Sequence, residues 1–306
     1  AGILAGKADE LGKFALDGVT KVAPTASLLL FAVLFFSIMI DAGLFRPLER
    51  WLIGLAGDNP VRIVVASALM SLLVSLDGDG ATTILIVTTA FLPLYTRVGI
   101  SPLVLAVVLA GANTVMNLSP WGGPTGRAAA ALHLDVGDVF TPLLPVMAVG
   151  IAVNLATAWY LGHREKRRLA PGVSATVTAG AGAAPEPAEP LNLGWKYPAN
   201  LALTIAVLIC AILHLAPLPL VFMGGLALGL LVNFPRPDAQ RERLAAHAAN
   251  ALPILVLILA AGVFTGVLEG AGILSAMAHD IVAVVPPGTG PWIGPIIALL
   301  AIPLTF

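Results

Sequence analysis

Long apolar runs without a charged residue set the terms for this chain. Ala23 to Ile40 contains no Asp, Glu, Lys or Arg, and neither does Pro142 to Leu161. Three more such runs follow, at Pro198 to Leu215, Pro217 to Phe234 and Leu252 to Leu268. Each approaches the ~20 residues that cross a bilayer as a helix. In hydrocarbon every backbone polar group must be bonded within the chain, so runs of this kind fold as helices. The expectation is an all-α polytopic membrane protein.

Composition agrees and removes other classes. Only 11% of residues are charged, against roughly 25% in ordinary soluble domains. A net charge of -1 gives no field for nucleic acid, so no nucleic-acid partner is expected. Cys210 is the lone cysteine and can form no internal disulfide; it reads as a small residue facing lipid or another helix. The five histidines show no metal-ligand spacing.

Two stretches break the spanning pattern. Ile63 to Leu76 and Ala81 to Tyr95 are uncharged, but at about 14 residues each they reach roughly 21 Å, short of the roughly 30 Å hydrocarbon core. Between them lies Asp77-Gly78-Asp79-Gly80. A re-entrant hairpin with a polar tip meets that description; two tilted spans joined by a short loop is the alternative. The second stretch starts at Pro102 as a normal span and then meets Asn117-Leu118-Ser119-Pro120-Trp121-Gly122-Gly123-Pro124-Thr125-Gly126-Arg127. So many prolines and glycines free backbone groups, which membrane depth tolerates only beside protein or a wet cavity. The expectation is a broken helix whose unwound centre lines a site.

The chain also matches itself. Pro24 aligns with Pro253, Gly43 with Gly272, and Asp41-Ala42-Gly43-Leu44-Phe45 lies over Gly270-Ala271-Gly272-Ile273-Leu274. The charged segments ahead of the two prolines, Lys7 to Lys21 and Asp238 to Ala251, match as well. Counting spans puts Arg46, Arg50, Arg62, Arg97, the basic run Arg164 to Arg168, Lys196, Arg236, Arg241 and Arg243 on one side. That side is cytoplasmic by the positive-inside rule. Lys7, Lys13 and Lys21 fall opposite, and Arg127 within the membrane. The matched segments then lie on opposite faces, as in the inverted repeats of secondary transporters.

Residues 1–168 are expected to form most of a first repeat: amphipathic helix, span, hairpin, broken helix and span. Residues 169–194, rich in Ala, Gly and Pro, read as a disordered cytoplasmic linker. Residues 195–306 read as the first part of a second repeat, ending before its hairpin tip. The repeat predicts a longer natural protein, with about two further spans of ~20 residues ahead and a hairpin, broken helix and span behind.

Asp77 and Asp79 are the sharpest candidates. A carboxylate at membrane depth must be paired, protonated or wet, and two on a glycine-flanked tip suit a proton or metal site. An exposed loop would use the same residue types. Ser75, Thr82 and Thr83 offer further oxygens to such an ion site. Arg127 could hold a carboxylate bidentately, or snorkel to the interface. Helix N-termini opened by the break would add positive potential. Asn117, Ser119 and Thr125 offer neutral hydrogen bonds, Gly122 and Gly123 close backbone approach, and Trp121 either closes the site or packs.

At Leu76-Asp77-Gly78-Asp79-Gly80-Ala81-Thr82-Thr83, and at Met116-Asn117-Leu118-Ser119-Pro120-Trp121-Gly122-Gly123-Pro124-Thr125, the chain resembles the citrate–divalent-metal/proton symporters. These belong to a superfamily of di- and tricarboxylate carriers. Ile40-Asp41-Ala42-Gly43-Leu44-Phe45 and Pro93-Leu94-Tyr95 look like that family too. The resemblance implies proton-coupled symport of citrate complexed with a divalent cation such as magnesium or calcium. It also implies sites at the hairpin tips and unwound helices, a homodimer, a multi-pass place in a bacterial inner membrane, and no resident cofactor. A sodium-coupled carrier of the same superfamily is the alternative. An intramembrane enzyme would need a constellation such as H-E-x-x-H or G-x-S-x-G, and neither occurs.

Overall fold

The computed structural model describes residues 8–78, 80–132, 134–169, 194–213, 215–284 and 294. Among these, all regular structure is helical. The 3-10 turn Ala8–Glu10 leads into α1 (Leu11–Asp41), and α2 (Arg46–Ala56) and α3 (Pro60–Val74) follow. Next come α4 (Gly80–Val98), α5 (Pro102–Met116), α6 (Gly123–Leu132), α7 (Val136–Phe140) and α8 (Leu144–Arg168). The rest are α9 (Lys196–Ile212), α10 (Leu218–Asn233), α11 (Pro237–Gly270) and α12 (Ile273–Val284). Among the described residues, 4 helical segments are long and apolar enough to cross a membrane: Leu11–Asp41, Gly80–Val98, Val136–Arg168 and Ala251–Gly270. The protein is therefore a multi-pass helical membrane protein. The expected linker falls almost wholly on residues 170–193, which lie outside the described residues, as does everything from 295 onward.

Local chemistry explains the boundaries. The Asn59 side chain accepts from Val61 N–H at 3.0 Å, and Pro60 stands where a helix loses no hydrogen bond, so α3 starts there. At its far end the 3-10 turn Ser75–Asp77 closes on Gly78, whose φ of 74° is the left-handed conformation that favours glycine. Helix α4 is longer than the sequence suggested, with 19 residues running through Pro93. The Thr96 hydroxyl donates back to the carbonyls of Leu92 and Pro93 in the last turns of this helix. Likewise α1 and α11 each run unbroken from a charged segment into an apolar one, with Pro24 and Pro253 inside.

Two compact units are distinguished, Lys21–Leu259 and the pair Ala1–Thr20 with Ala260–Phe306. In the smaller unit Gly18 of α1 meets Gly262 and Gly266 of α11 so closely that a side chain at 18 would run into the Gly262 carbonyl. The ring of Phe14 lies against Gly270. Glycines four apart permit this approach, the packing that replaces the hydrophobic effect inside a membrane.

The larger unit holds two main cores. One gathers Leu28, Leu29, Phe35, Phe36 and Met39 of α1 with Val207 of α9, Phe222 and Leu226 of α10, Ala129 of α6 and Ile258 of α11. The other joins α2, α3, α4, α5 and α8 through Leu52, Ile63, Met70, Phe91, Tyr95, Val108 and Ala158. Several polar groups inside these cores are paired. Ser67 and Tyr95 share a hydrogen bond of 2.8 Å between α3 and α4. Asn200 of α9 and Asn233 of α10 exchange two amide bonds of 2.8 Å each. Where α4 turns into α5, the buried Glu165 of α8 accepts from Ser101 N–H at 3.0 Å and from Arg168 at 2.7 and 3.0 Å. Arg168 also donates to the Gly99 carbonyl, so one acid and one base of the basic run pin that turn.

Candidate functional site

The tip after α3 and the break between α5 and α6 meet. Trp121 Nε1 donates to the Leu76 carbonyl at 2.6 Å. A Cβ built on Gly78 would lie 3.4 Å from the Trp121 carbonyl oxygen and 4.0 Å from Gly122 Cα. Trp121 is held from its other side by aromatic rings, with centroids 5.6 Å from Phe36 and 5.2 Å from Phe222. It thus braces the tip against the first core. Trp121→Phe would keep the ring and lose the N–H. The expected cost is about 1–2 kcal/mol, read as a lower thermal midpoint; an unchanged midpoint would show that the bond braces nothing.

The break is built from its own residues. Helix α5 ends on Asn117, whose N–H bonds the Asn113 carbonyl at 3.0 Å. Gly122 N–H then closes a turn on the Ser119 carbonyl at 2.9 Å. A side chain at Gly122 would run into the Asn117 carbonyl, so the turn requires glycine. Thr125 is buried, and its hydroxyl donates to the Leu118 carbonyl at 3.0 Å, satisfying one of the groups that the break frees. Gly123 opens α6, and a Cβ there would sit 3.1 Å from Arg127 Nη1. The Arg127 side chain is exposed and lies back along its own helix.

Two sequence-predicted hydroxyls share an unusual state. Ser75 is 1% exposed and Ser119 is 2% exposed, and neither Oγ has a hydrogen-bond partner. Buried hydroxyls are nearly always paired, so an unpaired one on each of two touching segments makes this junction the candidate site. Asn113 joins them from α5: its Nδ2 lies 2.9 Å from where a Gly80 Cβ would be, at the start of α4. The sequence analysis passed over Asn113, although it stands one helical turn before Asn117 on the same face, a spacing that could have found it. Thr82 and Thr83 occupy the first turn of α4, with Thr83 fully buried. Of Asp77 only the backbone, closing the 3-10 turn, is described, and Asp79 lies outside the described residues. Among the described residues no three His, Cys, Asp or Glu side chains come together as a metal site.

The arrangement is a small polar junction of hydroxyls, an amide and a helix N-terminus, with cationic charge from Arg127 only at its margin. It can accept a polar solute or ion that satisfies the hydroxyls. Among the described residues it contains no nucleophile–base pair.

A family model described as "Citrate transporter" matches residues 11–306. A curated protein of Bacillus subtilis (strain 168) named "Citrate transporter" is 44% identical over 304 residues, covering 99% of this chain and 70% of that protein. A "Mg(2+)/citrate complex secondary transporter" of the same bacterium is 40% identical over 301 residues, covering 97% and 69%. A third, named an uncharacterized transporter, is 37% identical over 311 residues, covering 99% and 71%. No solved structure matches.

Proposed function

Because the chain belongs to the citrate transporter family, and is a membrane transporter rather than an enzyme, we propose that it carries citrate complexed with a divalent cation of the magnesium or calcium kind, in symport with protons. The cargo sits at the junction of tip and break. Ser75, Asp77, Asp79, Thr82 and Thr83 are assigned to the metal and the proton. Asn113, Asn117, Ser119, Gly122, Gly123 and Thr125 meet the carboxylates and hydroxyl of citrate, with Arg127 at the margin and Trp121 as brace.

The observation that carries this reading is the pair of buried, unpartnered hydroxyls at Ser75 and Ser119, on two segments in contact. Charge supports the metal complex over the bare anion. A free tricarboxylate would call for several cations, whereas the tip supplies two aspartates and the break mainly neutral groups. A cargo whose negative charge is already offset by a divalent ion suits such a site. The resemblance to a transporter named for the Mg(2+)/citrate complex supports the same cargo.

An inverted repeat is supported by contacts that the repeat register exchanges. The register that sets Pro24 on Pro253 sets Phe14 on Arg243 and Asp41 on Gly270. Phe14 touches Gly270 in one unit; Arg243 touches Asp41, at 3.7 Å, in the other. Gly43 and Gly272, also matched, have φ of 79° and 75°.

The test is radiolabelled citrate uptake into proteoliposomes, with and without magnesium or calcium, with sodium, and under an imposed proton gradient. Uptake should need both a divalent cation and the proton gradient, and Asp77→Asn should abolish it. Sodium-driven uptake indifferent to divalent metal would transfer the chain to sodium-coupled carriage of free citrate, and no uptake would remove citrate as cargo.

A further inference from the structure

Asp41 closes α1, and the first half of α11 lies against it. His247 Nε2 is 2.8 Å from Asp41 Oδ2, and Arg243 Nη1 is 3.7 Å from the same oxygen. The side chains of Asp41 and His247 are only 21% and 20% exposed, so solvent screens their attraction less than at a surface. Arg243 also sits 5.7 Å over the Phe234 ring. None of these groups belongs to the cargo junction.

The repeat gives this contact a control within the same molecule. Asp41, Arg243 and His247 occupy the positions of Gly270, Phe14 and Gly18. There the ring of Phe14 lies against Gly270, and Gly18 lies against Gly262 and Gly266.

We infer that Asp41, His247 and Arg243 form a pH-sensitive clasp, which grips α1 to α11 more tightly when His247 is protonated. A neutral imidazole carrying its proton on Nε2 already donates a charge-assisted hydrogen bond to the Asp41 carboxylate. The imidazolium adds the attraction of a full positive charge to the same contact. Arg243 shares the same Asp41 oxygen.

Across a cavity of about 480 Å³ the cluster faces Arg46 and Glu49 of α2. Burial raises the Glu49 carboxyl above its ordinary range, against the pull of Arg46 and Arg50. Glu49 therefore takes up a proton earlier than an exposed glutamate as the pH falls. Any test must separate its titration from that of His247.

A double-mutant cycle does so, since a background titration common to all four proteins cancels. Thermal midpoints of the purified protein, Asp41→Asn, His247→Gln and the double variant would be measured at about pH 5.5 and about pH 8. Glutamine keeps an N–H donor, so the fold is preserved while the charge is lost. The coupling between the two positions should be larger at the lower pH, where the contact gains a full charge on the imidazole. Equal coupling at both pH values, or none at either, would overturn the clasp. The cycle involves no transport, so its outcome is independent of the cargo. A second arm rests on the transport reading. Acidifying the side that carries Arg46 and Arg50 should slow uptake by the wild type more than by His247→Gln, and equal slowing would count against the clasp.

Discussion

Glu165→Ala should destabilise the folded protein by roughly 2–4 kcal/mol, the largest loss expected from any single polar substitution in the chain. Glu165 is 5% exposed and accepts three hydrogen bonds, from Ser101 N–H and from Nε and Nη2 of Arg168. Alanine would orphan a buried N–H and leave Arg168 without its partner. Removing one member of a fully buried pair costs about 3–5 kcal/mol; Arg168 is 35% exposed and can recover water, which lowers the figure. Glu165→Gln keeps an acceptor for Ser101 and should cost about half as much. Thermal unfolding in detergent would order the three proteins. A Glu165→Ala midpoint equal to the wild type would mean that the α4–α5 turn needs no pin.

The second large effect is on transport. Gly122→Ala should reduce uptake at least ~100-fold, because a misplacement of about 1 Å near a binding site can cost that much. The new Cβ would collide with the Asn117 carbonyl, which is backbone and cannot swing aside. The turn must open, and Ser119, Trp121 and Thr125 move with it. Trp121 would then leave the Leu76 carbonyl, so tip and break would part together. Gly54→Ala is the matched control, since nothing lies within 4 Å of its Cβ position. Comparable uptake by both variants would detach the break from transport.

Much of this was legible in the sequence, and the physical reason is that a bilayer punishes charge. Runs such as Ala23 to Ile40 announce themselves by what they exclude, and Asn117 to Arg127 announces itself by prolines and glycines that no continuous helix would carry. The contact between tip and break was not legible. It depends on one indole N–H reaching Leu76, and the indole sits within a motif that reads equally well as packing. Helix length was misjudged at α4 because only the uncharged run from Ala81 to Tyr95 was counted, whereas the helix runs on through Arg97 to Val98. The pairing of Glu165 with Arg168 was hidden inside a run that looks uniformly basic. Asp41 and His247 stand 206 residues apart, and only folding brings them within a hydrogen bond.

The amide pair between α9 and α10 has a consequence for biosynthesis. Taken singly, each helix carries a polar asparagine that hydrocarbon resists, and each is short for a span, with 17 and 16 residues. Once Asn200 and Asn233 are bonded to each other, with a further bond of 2.8 Å to the Gly229 carbonyl, the hairpin presents lipid with an apolar exterior. The two helices are therefore expected to insert as one hairpin rather than singly.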